Sequence, residues 1–179
     1  MRIGLVRHFK AEHVPVRGWI TGEQFNSWVA DYDAAGIRPA QFMDDAQHWD
    51  YCICSDLPRA VHTARHIYSG DIALSEQVRE IGVAAVKLSG FKLPVVCWLV
   101  IGRLLWLAGH PSQPESRRET LQRINTVLDN LEAEPHRTNV LIVTHGAFMK
   151  QLERELQRRS YIGQRMKHPR NGQLYVYEK

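Results

Sequence analysis

Cysteine is scarce in this chain: Cys52, Cys54 and Cys97 are the only three, and an odd number cannot all pair within one chain. Cys52 and Cys54 should share one face of a strand, and no second ligand pair follows at zinc-binding spacing. They read as buried free thiols, which favours a reducing compartment. Long apolar runs are missing too. The longest candidate, Phe91 to Ala108, is unbroken from Val95 to Gly102 but contains Pro94 and Arg103, and a membrane-spanning helix wants about 20 apolar residues without a central charge. The N-terminus, MRIGLVRHF, lacks the apolar core of a signal peptide because Arg7 and His8 interrupt it. A cytoplasmic protein with no membrane span is expected. There is no internal repeat, low-complexity tract or long linker.

Nor does one sign of charge dominate. The net charge is +4 and the sequence pI about 9.1, with basic residues gathered late at Arg154, Arg158, Arg159, Arg165, Lys167 and Arg170. Without an aromatic stripe or a recognisable module these read as a solvated helix face and tail, so no nucleic-acid partner is expected. A mildly basic surface does suit phosphorylated substrates.

What is present is an ordinary globular composition, 44% hydrophobic and 23% charged over 179 residues, enough for one domain with a substantial core. Arg2 to Val6, Tyr51 to Cys54 and Asn139 to Thr144 read as strands, with Leu174 to Tyr177 a final strand and Ile72 to Leu74 a weaker one. NVLIVT is a continuous aliphatic run, as expected of a central strand covered on both faces. Helical signals run from Thr21 to about Ala35, from Leu57 to Tyr68 with Asp56 available as a cap, and from Gly146 to about Gln157. From Ser112 to Leu131 the residues Leu121, Ile124, Val127, Leu128 and Leu131 recur at helical spacing. Strands alternating with helices predict an α/β fold, a single-domain three-layer α/β/α sandwich with a mostly parallel sheet.

In such sheets ligands bind beyond the carboxyl ends of the strands. His8 lies just past the first strand, Arg59 just past the second and His145 just past NVLIVT, so the three are placed to converge with Arg7 on one crevice. Two histidines and two arginines at a sheet edge suit phosphoryl transfer, which depends on positioning and on stabilising charge spread over several oxygens. Arginine offers a planar fork for phosphate. A neutral imidazole can attack phosphorus and form a covalent intermediate, a second histidine can donate to the oxygens, and a carboxylic acid should protonate the leaving group.

The segments that carry this pattern resemble a known family. LVRHFKAE resembles the Arg-His signature at the first strand of the histidine phosphatase (phosphoglycerate mutase-like) superfamily, and SDLPRAVHTA its Ser-x-Leu-x-Arg-Ala-x-x-Thr-Ala signature. VREIG resembles the Leu-x-Glu acid segment, Pro114 to Ser116 the start of the penultimate helix, and VTHG the second His-Gly motif. The resemblance covers nearly the whole chain and implies a phosphoglycerate mutase-like fold. It implies that His8 is the phospho-accepting nucleophile, that Arg7, Arg59 and His145 bind the phosphoryl oxygens, and that Glu80 is the proton donor. Glu76, one helical turn away, and Glu12 are alternatives for the acid. No metal and no cofactor are implied.

Departures from the family pattern bear on function. Phe9 stands where the family usually has glycine, which would put an aromatic beside the pocket with Lys10 and Gly146. Ala11 and Val14 stand where mutase-like members carry a hydroxyl residue and an asparagine. The reading is therefore a phosphomonoesterase acting on a phosphorylated small molecule or phosphoprotein. A phosphoglycerate mutase-type phosphotransferase, and a non-catalytic scaffold on the same fold, are the alternatives. Residues 84–113 fall where the family often inserts a substrate lid. Phe91 to Ala108 is thus read as a core helix, or as a lid or homodimer face in which Trp98, Trp106 or their neighbours wall the pocket.

Overall fold

The computed structural model describes residues 1–38, 42, 48–87 and 90–179. The chain runs β1 (Arg2–Arg7), β2 (Trp19–Thr21), α1 (Gly22–Ala34), β3 (Tyr51–Cys54), α2 (Pro58–Ile67), β4 (Ile72–Leu74), β5 (Lys92–Pro94), α3 (Val95–Leu107), α4 (Arg117–Glu132), β6 (Asn139–Thr144), α5 (Gly146–Arg158), β7 (Ile162–Gly163) and β8 (Leu174–Glu178). Six strands form one sheet in the order β4-β3-β6-β1-β8-β7. The pairs β4–β3, β3–β6 and β6–β1 are parallel, and β8 returns antiparallel to β1, with β7 antiparallel to β8. The sheet is therefore mixed, parallel where the site lies.

Alternation along the central strands distributes the core between two faces. Ile3, Leu5, Val140 and Ile142 pack with Ile124, Val127 and Leu128 of α4 and with Phe148, Leu152 and Leu156 of α5. Val6, Cys52, Cys54, Leu141 and Val143 pack on the other face, with Ala60 and Ala64 of α2. This is the three-layer sandwich that the sequence predicts. Cys52 and Cys54 are free and buried, and burial pushes the Cys52 thiol up to about 12; Cys97 is free and exposed.

The helix boundaries follow local chemistry. Thr21 caps α1 in a reciprocal box with Gln24. The fourth helix begins at Arg117, later than its periodicity suggests, because Ser116 caps it in a box with Glu119 and Pro114 lies just upstream. Helix α2 has no side-chain cap and Leu57 is its N-cap residue; the expected cap, Asp56, instead pairs with Arg79.

Within 84–113, the described residues of β5 and α3 pack against the body of the fold, and Leu99 and Arg103 of α3 line the cavity of the candidate active site. β5 pairs antiparallel with β2, and Trp98 of α3 packs against Ile20, Phe25 and Ala85. The two expected pocket tryptophans point inward: Trp98 is fully buried with its indole N–H on the Ile20 carbonyl, and Trp106 is 3% exposed and donates to Thr120. Among the described residues no helix is long and apolar enough to cross a membrane.

Candidate active site

Three strand exits meet as the sequence places them. The ends of β1, β3 and β6 lie side by side, with Arg7 in register with Thr144 and Cys54 with Val143. The His8 amide donates to the Thr144 carbonyl at 3.0 Å and the Ser55 amide to the Val143 carbonyl at 3.0 Å, extending the ladder one residue into the site. The rings of His8 and His145 stand 5.0 Å apart between centroids.

His8 is 1% exposed, and its Nδ1 lies 2.6 Å from the Phe9 carbonyl oxygen. A carbonyl only accepts, so the neutral ring carries its proton on Nδ1 and leaves a lone pair on Nε2. Burial, with the charges of Arg59 and Arg7 adding to it, lowers the His8 pKa to about 3 despite the opposing bond to Phe9. The imidazole is therefore neutral and nucleophilic at ordinary pH. His145 is fully buried and its pKa is also pushed well below the usual value, first by burial and then by Arg59, His8, Arg7 and Arg123. Its Nε2 meets the Ser55 hydroxyl at 2.8 Å, and its Nδ1 has no hydrogen-bond partner.

Both arginines are present, and each is held by backbone carbonyls. Arg7 donates through Nη1 to the Pro169 carbonyl at 3.0 Å while its buried Nε has no partner. Gly146, the first residue of α5, lies against this guanidinium: a Cβ there would stand 3.2 Å from Arg7 Cζ and 3.3 Å from Nε. Arg59 is wholly buried over the ring of Tyr32. It donates to the Tyr32 and Asp33 carbonyls at 3.0 and 3.2 Å and to Asp33 Oδ1 at 2.9 Å, and its Nε is unpartnered. An unpaired buried donor is costly, and the Nε–H groups of Arg7 and Arg59 are both in that condition. The cluster is short of an acceptor, and an anion would supply one.

Glu80 reaches the site from the loop after the 3₁₀ turn Glu76–Val78. Its carboxylate accepts from the amides of Ala147, Phe148 and Ile81 at 3.2, 2.9 and 2.9 Å, so it caps the N-terminus of α5, where His145 supplies no side-chain cap. Of the alternatives, Glu76 pairs with Arg79 and is 73% exposed, while Glu12 faces Arg38 at 3.9 Å and is 62% exposed.

The site opens into a cavity of about 780 Å³ walled by Arg7, Arg59, Glu80, Tyr32, Leu99 and Arg103 among others. His8 and His145 are buried behind that wall rather than part of it, and Gly146, Phe9 and Lys10 do not line it either. The Phe9 ring is 1% exposed, lies edge-on to His66 at 5.5 Å and fills the space above Gly172, while Lys10 is exposed. The chain turns Phe9 inward because its amide donates to Thr63 Oγ1 at 2.8 Å, and Thr63 in turn donates to the Arg59 carbonyl at 2.7 Å. Sequence reasoning missed Asn171, whose side chain donates to the His8 carbonyl at 2.7 Å, and Tyr32 and Asp33, which hold Arg59. Asn171-Gly172 was legible as a turn signal; the partnership of α1 with Arg59 has no local sequence signature. Among the described residues no group of three or more His, Cys, Asp or Glu side chains could hold a metal.

Fold and site together define an α/β protein whose strand exits gather two histidines and two arginines. Residues 38–178 match the histidine phosphatase superfamily (branch 1), and the chain belongs to that superfamily. The matched span takes in Arg59, Glu80 and His145 and begins after Arg7 and His8. No curated protein matches the sequence. Among solved structures, a putative α-ribazole-5'-P phosphatase from Escherichia coli superposes with a TM-score of 0.56 at 18% identity, over 98% of this chain and 89% of its own. A mycobacterial glucosyl-3-phosphoglycerate phosphatase gives 0.55 at 17% identity, over 88% and 79%. An Entamoeba histolytica phosphoserine phosphatase, solved with phosphoserine, gives 0.57 at 15% identity, over 98% and 89%. At these identities the likeness is one of fold.

Proposed function

We propose that the chain is a metal-independent phosphomonoesterase that works through a phosphohistidine on His8. The observation that carries this reading is the His8 ring itself: Nδ1–H is committed to the Phe9 carbonyl, and burial keeps Nε2 unprotonated. Nε2 donates its lone pair to phosphorus as the P–O bond to the leaving group breaks. Arg7, Arg59 and the unpartnered Nδ1 of His145 take the equatorial oxygens. Glu80, on the cavity wall, is the acid that would protonate the departing alkoxide. The resulting carboxylate takes a proton from water as the water oxygen attacks phosphorus, the N–P bond breaks, and its electron pair returns to Nε2.

Several features support this over the alternatives. Phe9, the one departure that favoured a scaffold, is packed away from the cavity wall. Val14, which stands at a mutase substrate position, is 79% exposed and lies outside the wall. The phosphatase names of the superposed structures point the same way.

The test is hydrolysis of p-nitrophenyl phosphate in EDTA, comparing wild type with His8→Ala. Wild type should turn over without added metal and form an acid-labile phosphoenzyme. His8→Ala should form none and lose activity by three orders of magnitude or more. Activity that survives the substitution, or that needs a metal, overturns the mechanism.

A further inference from the structure

The proposed chemistry leaves one cation in the cavity wall unused. Five arginines border the cavity. Arg59 is matched by Asp33, Arg79 by Asp56 and Glu76, and Arg123 by Glu115. Arg7 belongs to the phosphoryl end, beneath the first turn of α5. That leaves Arg103, which projects from α3. Its Nη1 donates to the Ile81 carbonyl at 2.9 Å and to the Gly82 carbonyl at 3.4 Å. Among the described residues it has no carboxylate partner, and its Nε and Nη2 have no acceptor.

The acids that share this wall are engaged elsewhere. Glu115 accepts from the Arg123 fork and the Gly82 amide, Glu119 from the Ser116 amide, and Glu80 from the start of α5. A guanidinium that borders a cavity without a counter-ion is a site for an anion that arrives with the ligand. Its place is informative. The two carbonyls that hold Arg103 are one and two residues beyond Glu80, so Arg103 lies on the side of the acid, where a leaving group would depart. The wall also has apolar members, Trp28, Val29, Val83, Leu99 and Pro114, and Trp28 stacks with Tyr32 at 5.9 Å.

We propose that the cavity takes a phosphomonoester whose leaving group has an apolar or ring body and ends in a second anionic group, a carboxylate or a phosphate, bound by Arg103. The identity of the scissile group rests on the phosphatase reading; the second anion site rests on Arg103.

The probes are benzylphosphonate, 4-carboxybenzylphosphonate and 1,4-xylylenebisphosphonate, none of which the enzyme can hydrolyse, with dissociation constants measured by calorimetry on wild type, Arg103→Gln and Arg103→Lys. At least one doubly anionic probe should bind wild type tenfold or more tightly than benzylphosphonate. Arg103→Gln should shrink that ratio to about twofold or less, and Arg103→Lys should keep part of it; which probe gains more identifies the anion. Equal binding of all three by wild type overturns the proposal. So does an Arg103→Gln variant that weakens all three by one common factor, the result expected if Arg103 only clamps the Ile81 and Gly82 carbonyls. Should Arg103→Gln fail to fold by circular dichroism, the wild-type ratio and its change in Arg103→Lys decide. Selective binding without turnover of p-nitrophenyl phosphate would remove the phosphatase reading and leave the anion site standing. Failure of all three probes to bind would remove both.

Discussion

At the scale of single residues, Phe9 separates what a sequence position suggests from what packing makes of it. Its place next to His8 suggested a side chain in the pocket. The backbone alternates there, however, and Phe9 points to the opposite side from the cavity, into a slot against His66 and over Gly172. Gly172 has φ of +70°, and a Cβ on it would come within 2.6 Å of the Phe9 ring, so the glycine is required both by its backbone and by the ring above it. The His8–Phe9 peptide is thus held from three sides: Thr63 takes the Phe9 amide, Asn171 donates to the His8 carbonyl and the ring fills the slot. Phe9→Ala should therefore act on stability, lowering it by about 3–5 kcal/mol as for other fully buried phenylalanines, and should not widen the substrate range. Urea unfolding measures the first and a panel of bulky phosphate esters the second. A stable variant with broader specificity would return Phe9 to the pocket.

At the scale of elements, most of the site was legible because its residues follow strands. β1 and β6 carry aliphatic runs and β3 is the apolar segment YCIC, and in a parallel sheet the residues leaving their carboxyl ends are neighbours by construction. His8, Arg59 and His145 could be brought together on that ground alone. Glu80 comes from a loop held by the bonds of Arg123 to the Gln77 and Arg79 carbonyls, and only the family resemblance pointed to it. The short strands β2 and β5 were not legible, because WIT and KLP lack the aliphatic run that marked the equally short Ile72–Leu74. Nor was the link between α1 and α2, which has a functional consequence. The last turn of α1 holds the Arg59 fork through Tyr32 and Asp33, so phosphate that reaches beyond the free Nε to Nη2 competes with Asp33 for that guanidinium. Asp33→Asn keeps the shape and removes the charge. It should tighten inorganic phosphate binding several-fold, while costing the phosphate-free protein about 1–2 kcal/mol, discounted because Asp33 is 44% exposed. Calorimetry with phosphate, and melting with and without it, test the exchange; unchanged affinity would mean that Arg59 does not trade partners.

At the scale of the whole molecule, the sheet buries two histidines side by side at the carboxyl ends of its strands, and this sets how the fold responds to acid. A histidine whose pKa is lower folded than unfolded binds its proton mainly after unfolding, so stability rises with pH across the interval between the two values. For His8 that interval runs from about 3 to the ordinary 6.5, and the shift of His145 has the same sign. The stabilisation is complete above pH 6.5 and is lost as pH falls below it, by about 2 kcal/mol at pH 5 from His8 alone. Carboxylates with depressed pKa, such as Asp56 beside Arg79, act below about pH 4 and leave this window to the imidazoles. Urea unfolding at pH 8 and pH 5 should therefore show a marked loss for wild type, and His8→Gln, which cannot titrate, should lose about 2 kcal/mol less. Saturating phosphate should reduce the loss in wild type, because an anion in the site favours the protonated imidazole that the empty site excludes. An equal loss in wild type and His8→Gln would show that the acid sensitivity arises elsewhere, and that His8 is not held neutral by its surroundings.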